Sequence, residues 1–263
     1  MPRLKLNDIS MFYRTSGRGK PLLAIHGLGG DNTSWEYVEP YLSKRRKLIM
    51  PDLRCHGKSG STGGIVAPSD YANDLATLIQ HLGYDSLPVL GTSLGGLVLQ
   101  QLVLEDPESV SAAVMIDTAP KITEYTGNVV YSWREAQVNS GDEAYWWAST
   151  QDGLTPEFID KHPEVIRHLK EKFLRASGLD MVNAVLGFAD FDAVDRLRRV
   201  KVPVLVVHGG RDRVFLPEMG QLLHDSIKNS QFRIIEGVGH SPDIEVPELL
   251  SDVLLQFLNE QGV

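Results

Sequence analysis

The sequence predicts one α/β domain, a mostly parallel sheet flanked by helices. Three observations predict it. Short apolar runs end abruptly at polar or glycine residues, helical patterns fill the gaps between them, and 263 residues suffice for a large single core.

The elements follow in order. Residues 4–9 and 11–15 read as two strands meeting near a polar turn. Apolar runs at 22–25, 47–50 and 87–90 end at His26-Gly27, at Pro51-Asp52 and at Gly91. Further runs at 112–116, 202–207 and 232–235 end at Asp117, at His208-Gly209-Gly210 and before Gly237. Runs apolar on both faces suit strands buried between layers of helices. Helical patterns cover 71–81, 94–105, 218–227 and 247–260, giving a doubly wound sheet. From 118 to 199 there is no strand pattern. That stretch is charged and aromatic, holds Trp133, Trp146 and Trp147, and is broken at Thr155-Pro156 and His162-Pro163. It reads as helices inserted above a core formed by 1–117 and 200–263.

Composition narrows the class of function. The chain is 42% hydrophobic and 23% charged, as soluble globular proteins are, and its formal net charge is -8. An acidic chain repels phosphate backbones, so no nucleic acid is expected as a partner. The densest basic run, Lys44-Arg45-Arg46-Lys47, leads straight into an apolar strand and reads as a solvated turn. A single cysteine, Cys55, excludes an internal disulfide. The start Met1-Pro2-Arg3-Leu4-Lys5 lacks the apolar run of a secretory signal, and no segment has bilayer length. A reduced, cytoplasmic setting away from membranes is the expectation. Oligomeric state is open.

Chemistry centres on Gly91-Thr92-Ser93-Leu94-Gly95, a G-x-S-x-G pentapeptide between a strand pattern and a helix pattern. A sharp strand-to-helix turn strains the central serine and exposes its hydroxyl, and the flanking glycines avoid collision with neighbouring backbone. The helix N-terminus favours negative charge developing there. Serine at neutral pH needs a base. His240, in Gly237-Val238-Gly239-His240-Ser241-Pro242, follows the last strand pattern and reaches the same sheet edge. His26 and His208 end apolar runs and read as packed residues; His56, His81, His162, His168 and His224 have no matching partner. The base needs a carboxylate to hold its tautomer. Asp212, in Gly209-Gly210-Arg211-Asp212-Arg213, gives the chain order Ser, Asp, His, and Asp117 is the rival. An oxyanion would be met by the backbone N–H of Leu94 and by one from the loop 26–30, at Leu28.

Other chemistries are set aside. Gly57-Lys58-Ser59 resembles the end of a phosphate loop, but Asp52 stands where the first glycine is required. No G-x-G-x-x-G follows a strand and no spacing matches a metal site, so neither cofactor nor metal is expected. The aromatics Trp133, Tyr145, Trp146, Trp147 and Phe188 line a pocket or form the insertion's own core, and the sequence supports both readings equally.

These segments resemble the α/β-hydrolase family over essentially the whole chain. The resemblance rests on HGLGG at 26–30, PDLRCHGKS at 51–59, GTSLGG at 91–96, the frame Pro203 to Asp212, and GHSPDIEVP at 239–247. Within the family the chain is similar to small carboxylesterases and 3-oxoadipate enol-lactonase-like hydrolases, and to cofactor-free haloperoxidases. The resemblance implies that 118–199 is a helical cap over the site. Epoxide hydrolases and haloalkane dehalogenases carry aspartate in place of Ser93; proline iminopeptidases usually carry tryptophan in place of Leu94. Carbon–carbon bond hydrolases often carry tryptophan in place of Ser241. One departure is Cys55, where the family usually has glycine. The expected function is hydrolysis of a small-molecule ester or lactone through an acyl-enzyme. The alternatives are a perhydrolase or a small-molecule receptor with little turnover.

Overall fold

The sheet is built around β3 (Lys20–Ile25), which ends in a buried apolar run, Leu22 to Ile25, whose successive side chains point to opposite faces. Leu23 and Ile25 join one hydrophobic cluster, and Leu22 and Ala24 join another on the far side. The apolar run therefore has no polar alternation, because both faces are covered. The structure is a computed structural model, and it describes residues 3–6, 8–176 and 185–263.

The remaining strands are β1 (Arg3–Lys5), β2 (Ser10–Ser16), β4 (Arg46–Pro51), β5 (Leu87–Thr92), β6 (Val110–Ile116), β7 (Val204–Gly209) and β8 (Ser230–Ile235). Their spatial order is β1-β2-β4-β3-β5-β6-β7-β8. β1 and β2 enter antiparallel, and every pairing from β4 to β8 is parallel. Helices α1 (Glu39–Leu42), α2 (Pro68–His81) and α3 (Leu94–Glu105) make the first crossovers. Those spanning Pro217–Ser226 and Pro247–Glu260 make the last. Ten residues of α3 are buried, as expected for a helix wedged behind the central strand.

Three expectations need correction. The first strand stops at Lys5, because the chain folds back at once through the Leu6 N–H, which donates to Ile9 O at 2.9 Å. β8 is not apolar on both faces: it is an edge strand paired with β7, and Ile234 remains 38% exposed. Arg46 is no solvated turn residue. It is buried at the head of β4, where Nη1 donates to Val263 O at 2.7 Å and ties down the end of the chain.

Between β6 and β7 the described residues hold α4 (Glu124–Ser140), α5 (Asp142–Gly153), α6 (Pro156–Lys161), α7 (Pro163–Ala176) and a short helix Val194–Leu197. Their aromatic side chains pack on one another. Trp133 meets Tyr145 edge-on, with centroids 6.3 Å apart, and Tyr145 stacks on Phe173 at 5.4 Å. Trp133, Tyr145 and Phe188 belong to the main cluster around α2 and α3, whereas Trp147 stays 43% exposed.

Candidate active site

β5 ends at Thr92 and α3 begins at Leu94, which leaves Ser93 alone to turn the chain. Its backbone sits at φ 54°, ψ -119°, a costly region for a residue with a Cβ. The turn is tight enough that a Cβ on Gly95 would lie 2.5 Å from Ile25 O, and one on Gly91 would collide with the backbone of Gly95. Only glycine fits on either side of this serine, so the spacing in the pentapeptide is a packing requirement. The Ser93 N–H donates to Ile116 O at 2.9 Å and holds the strained residue against β6.

His240 comes from the loop after β8, and its Nε2 lies 2.9 Å from Ser93 Oγ. Its Nδ1 lies 2.7 Å from Asp212 Oδ2. The geometry suits one tautomer, with Nδ1–H donating to the carboxylate and Nε2 accepting the serine hydroxyl. Asp212 follows β7 and is buried. Its Oδ1 accepts the amides of Val214 at 2.7 Å and Phe215 at 3.0 Å. Burial opposes its charge, but His240 and His208 outweigh that cost and hold the carboxyl below the ordinary range. The structure thus brings Ser93, His240 and Asp212 into one hydrogen-bonded chain.

Asp117, the rival acid, lies behind this chain. It follows β6 at φ 44°, is fully buried, and accepts the Gly209 N–H at 2.7 Å through Oδ1. Burial, then the nearby charge of Asp212, pushes its carboxyl well above the usual range. Asp117, His208 and Asp212 each offer a polar atom within 4.8 Å of the others. That grouping has ligand-like spacing; Asp117 Oδ1 and both Asp212 oxygens are engaged within the protein, whereas Asp117 Oδ2 and His208 Nδ1 are buried with no hydrogen-bond partner. His208 Nε2 donates to Phe215 O at 2.8 Å and lies 3.3 Å from Asp212 Oδ2. Sequence reasoning left His208 as a packed residue and missed its contact with Asp212. The only available signal was its place at the end of a strand next to the one bearing Asp117.

A second missed residue is Glu245, four positions after Ser241. Its Oε1 accepts the Gly239 N–H at 2.9 Å, beside His240, and the Thr155 N–H at 3.1 Å. His26, by contrast, does what its position suggested. Its Nε2 accepts the Leu53 N–H at 3.0 Å, and burial lowers its pKa to about 4, so it stays neutral and braces the loop 26–30. That loop passes so near the serine that a Cβ on Gly27 would lie 3.3 Å from Ser93 Cβ. Among the described residues, neither the Leu28 nor the Leu94 amide donates a hydrogen bond within the protein. His168, given no partner from sequence, lies at the surface 3.1 Å from Glu36 Oε1.

Above Ser93 the cavity has two lobes. One, of about 280 Å³, is almost wholly apolar and is walled by Leu97, Val130, Phe188, Val214 and Phe215. The other, of about 250 Å³, includes His240, Asp31, Ser34, Ser149, Lys172 and Asp243. Leu28, Ser93, Trp133 and Tyr145 line both and form the waist between them.

A family model described as alpha/beta hydrolase fold matches residues 20–245. The chain is an α/β hydrolase. The 3-oxoadipate enol-lactonase 2 of Acinetobacter baylyi is 28% identical to it over 250 residues, 93% of this chain and 91% of that protein. A non-heme haloperoxidase of Rhodococcus erythropolis is 25% identical over 272 residues, covering 98% and 99% of the two chains. Among solved structures, a thermophilic esterase from Thermogutta terrifontis superposes with a TM-score of 0.89 at 26% identity, with both chains fully covered. The hydrolase family thus includes esterase, lactonase and haloperoxidase relatives of this chain. No described helix of this α/β hydrolase is long and apolar enough to cross a membrane.

Proposed function

We propose that this α/β hydrolase cleaves a carboxylic ester or lactone of a small molecule through an acyl-enzyme on Ser93. The observation that carries the reading is the chain of contacts from Ser93 Oγ to His240 at 2.9 Å and on to Asp212 at 2.7 Å, opening into a largely apolar cavity. His240 takes the serine proton as Oγ attacks the carbonyl carbon, and Asp212 stabilises the resulting imidazolium. The Leu28 and Leu94 amides hold the oxyanion, at the positive end of α3. His240 then protonates the departing oxygen; in the second half it draws a proton from water as the water oxygen bonds to the acyl carbon, and returns it to Ser93 Oγ as the carbon–Oγ bond breaks and the acid leaves.

The described helices of 118–199 act in this reading as a cap, with Trp133, Tyr145 and Phe188 forming the roof of the cavity, while 177–184 lie outside the described residues. A cytoplasmic location goes with it, since a chain with one cysteine forms no internal disulfide. The esterase and enol-lactonase relatives support the reaction class. The haloperoxidase relative supports a second reading, in which hydrogen peroxide replaces water on the same acyl-enzyme and yields a peracid.

The test is steady-state hydrolysis of p-nitrophenyl esters of increasing acyl length, wild type beside Ser93→Ala. Truncating the nucleophile should lower turnover by roughly 10⁴–10⁶-fold. Equal rates would remove Ser93 from the mechanism. Binding without turnover by wild type would favour a receptor. Peracid formation from acetate and peroxide would favour the second reading.

A further inference from the structure

Resting on Ser93 as nucleophile, we propose that the two lobes sort the halves of the substrate. The apolar lobe takes the acyl group, and the lobe beside His240 takes a polar, non-anionic leaving group. The assignment follows from where the proton must go. Attack forms the Ser93 Oγ–carbon bond and transfers the hydroxyl proton to His240 Nε2. Breaking the carbon–oxygen bond then returns that proton to the leaving oxygen. The leaving oxygen must therefore lie within hydrogen-bond reach of Nε2. His240 and Ser241 line only the second lobe, so the leaving group extends there. Leu94, Leu97, Val214 and Phe215 line only the first, which leaves that lobe to the acyl chain.

The character of each lobe then sets the substrate class. An apolar wall rewards an alkyl or aryl acyl group by its removal from water. The second lobe offers Ser34, Ser149, Thr150 and Ser241 as hydrogen-bonding hydroxyls, with the carboxylates of Asp31 and Asp243. Among the described lining residues its ammonium is Lys172, which donates to Thr33 O at 2.8 Å and to Glu36 Oε1 at 3.1 Å and whose field also reaches Asp31 and Asp243. A carboxylate or phosphate on the leaving group would therefore meet two carboxylates and, among the described lining residues, one ammonium that is already paired with Glu36 and shared with both acids. A hydroxylated alcohol fits; an anionic one does not.

Ethyl hexanoate and hexyl acetate test this directly, because they are isomers that carry the six-carbon chain on the acyl side and on the alcohol side respectively. At pH 8, kcat/KM should favour ethyl hexanoate by at least about tenfold, glycerol monohexanoate should exceed it, and the hexanoate ester of glycolate should be poorest. Gly127 lines the apolar lobe, and a Cβ there meets nothing within 4 Å. Gly127→Leu should therefore lose at least about tenfold more on ethyl hexanoate than on ethyl acetate. Asp243→Asn should narrow the gap between the glycerol and glycolate esters. Preference for hexyl acetate, or Gly127→Leu discriminating by alcohol length, would overturn the lobe assignment while leaving the nucleophile reading intact. No Ser93-dependent turnover of any of these esters would overturn both.

Discussion

Glu245 fastens Thr155 to the loop that carries His240. Its Oε2 accepts the Thr155 hydroxyl at 2.5 Å, while Oε1 accepts both the Thr155 and the Gly239 amides. One carboxylate thus joins the last loop of the core to the start of α6, at the residue immediately before His240. Glu245→Ala leaves two amides and a hydroxyl without their acceptor. The expected cost is about 3 kcal/mol in urea unfolding, with a fall in kcat of at least about tenfold. Glu245→Gln keeps one acceptor and should lie between. Wild-type kcat in the alanine variant would show that the joint does not set the position of His240.

Asp117 should hold its proton to a higher pH than an ordinary aspartate does. A carboxyl whose folded pKa is raised keeps a proton that the unfolded chain releases, so it costs stability as pH rises above about 4. Asn is the nearest uncharged mimic and tolerates the positive φ. Asp117→Asn should keep kcat/KM within about tenfold of wild type. Its stability relative to wild type should improve between pH 4 and 8. A stability difference independent of pH would mean that Asp117 is ionised in the fold.

Asp243 gives a narrower window. Burial raises its carboxyl to about 6, against the opposing pull of His240 and Lys172. The folded state then holds more protons than the unfolded state between about pH 4 and 6, so this group's contribution falls across that interval and is flat above it. Asp243→Asn should gain on wild type across the same interval and reach a plateau on the order of 3 kcal/mol. Chemical denaturation at intervals from pH 4 to 8 measures it. A plateau reached only above pH 7 would contradict the assignment.

Cys55 stands at φ 65°, a conformation that suits glycine and that costs an L-residue about 1–2 kcal/mol. Its buried side chain offsets part of that strain. Cys55→Gly should therefore unfold within about 1 kcal/mol of wild type. Cys55→Val should lose more than about 2 kcal/mol, because a β-branched residue is far less tolerant there. Thermal unfolding that ranked valine above glycine would show that packing, not backbone strain, dominates at this position.

The chain alone determined whatever depends on neighbours in sequence. Strands such as β3 and β5 carry runs that are apolar on both faces because both faces are covered, and that pattern is readable from the residues. Gly91 and Gly95 stand where the turn around Ser93 leaves no room for a Cβ. Ser93, Asp212 and His240 each follow a strand in a parallel sheet, so topology sends all three to one edge. Tertiary structure alone decided what depends on contacts between distant segments. Asp212 rather than Asp117 meets His240, because the loop after β7 reaches the imidazole while the end of β6 stops behind it. Arg46 looked solvated and is buried, since its partners are Asn259 and Val263 at the far end of the chain. The two lobes exist only where α4 and α5 fold over Ser93, and no local periodicity encodes that placement.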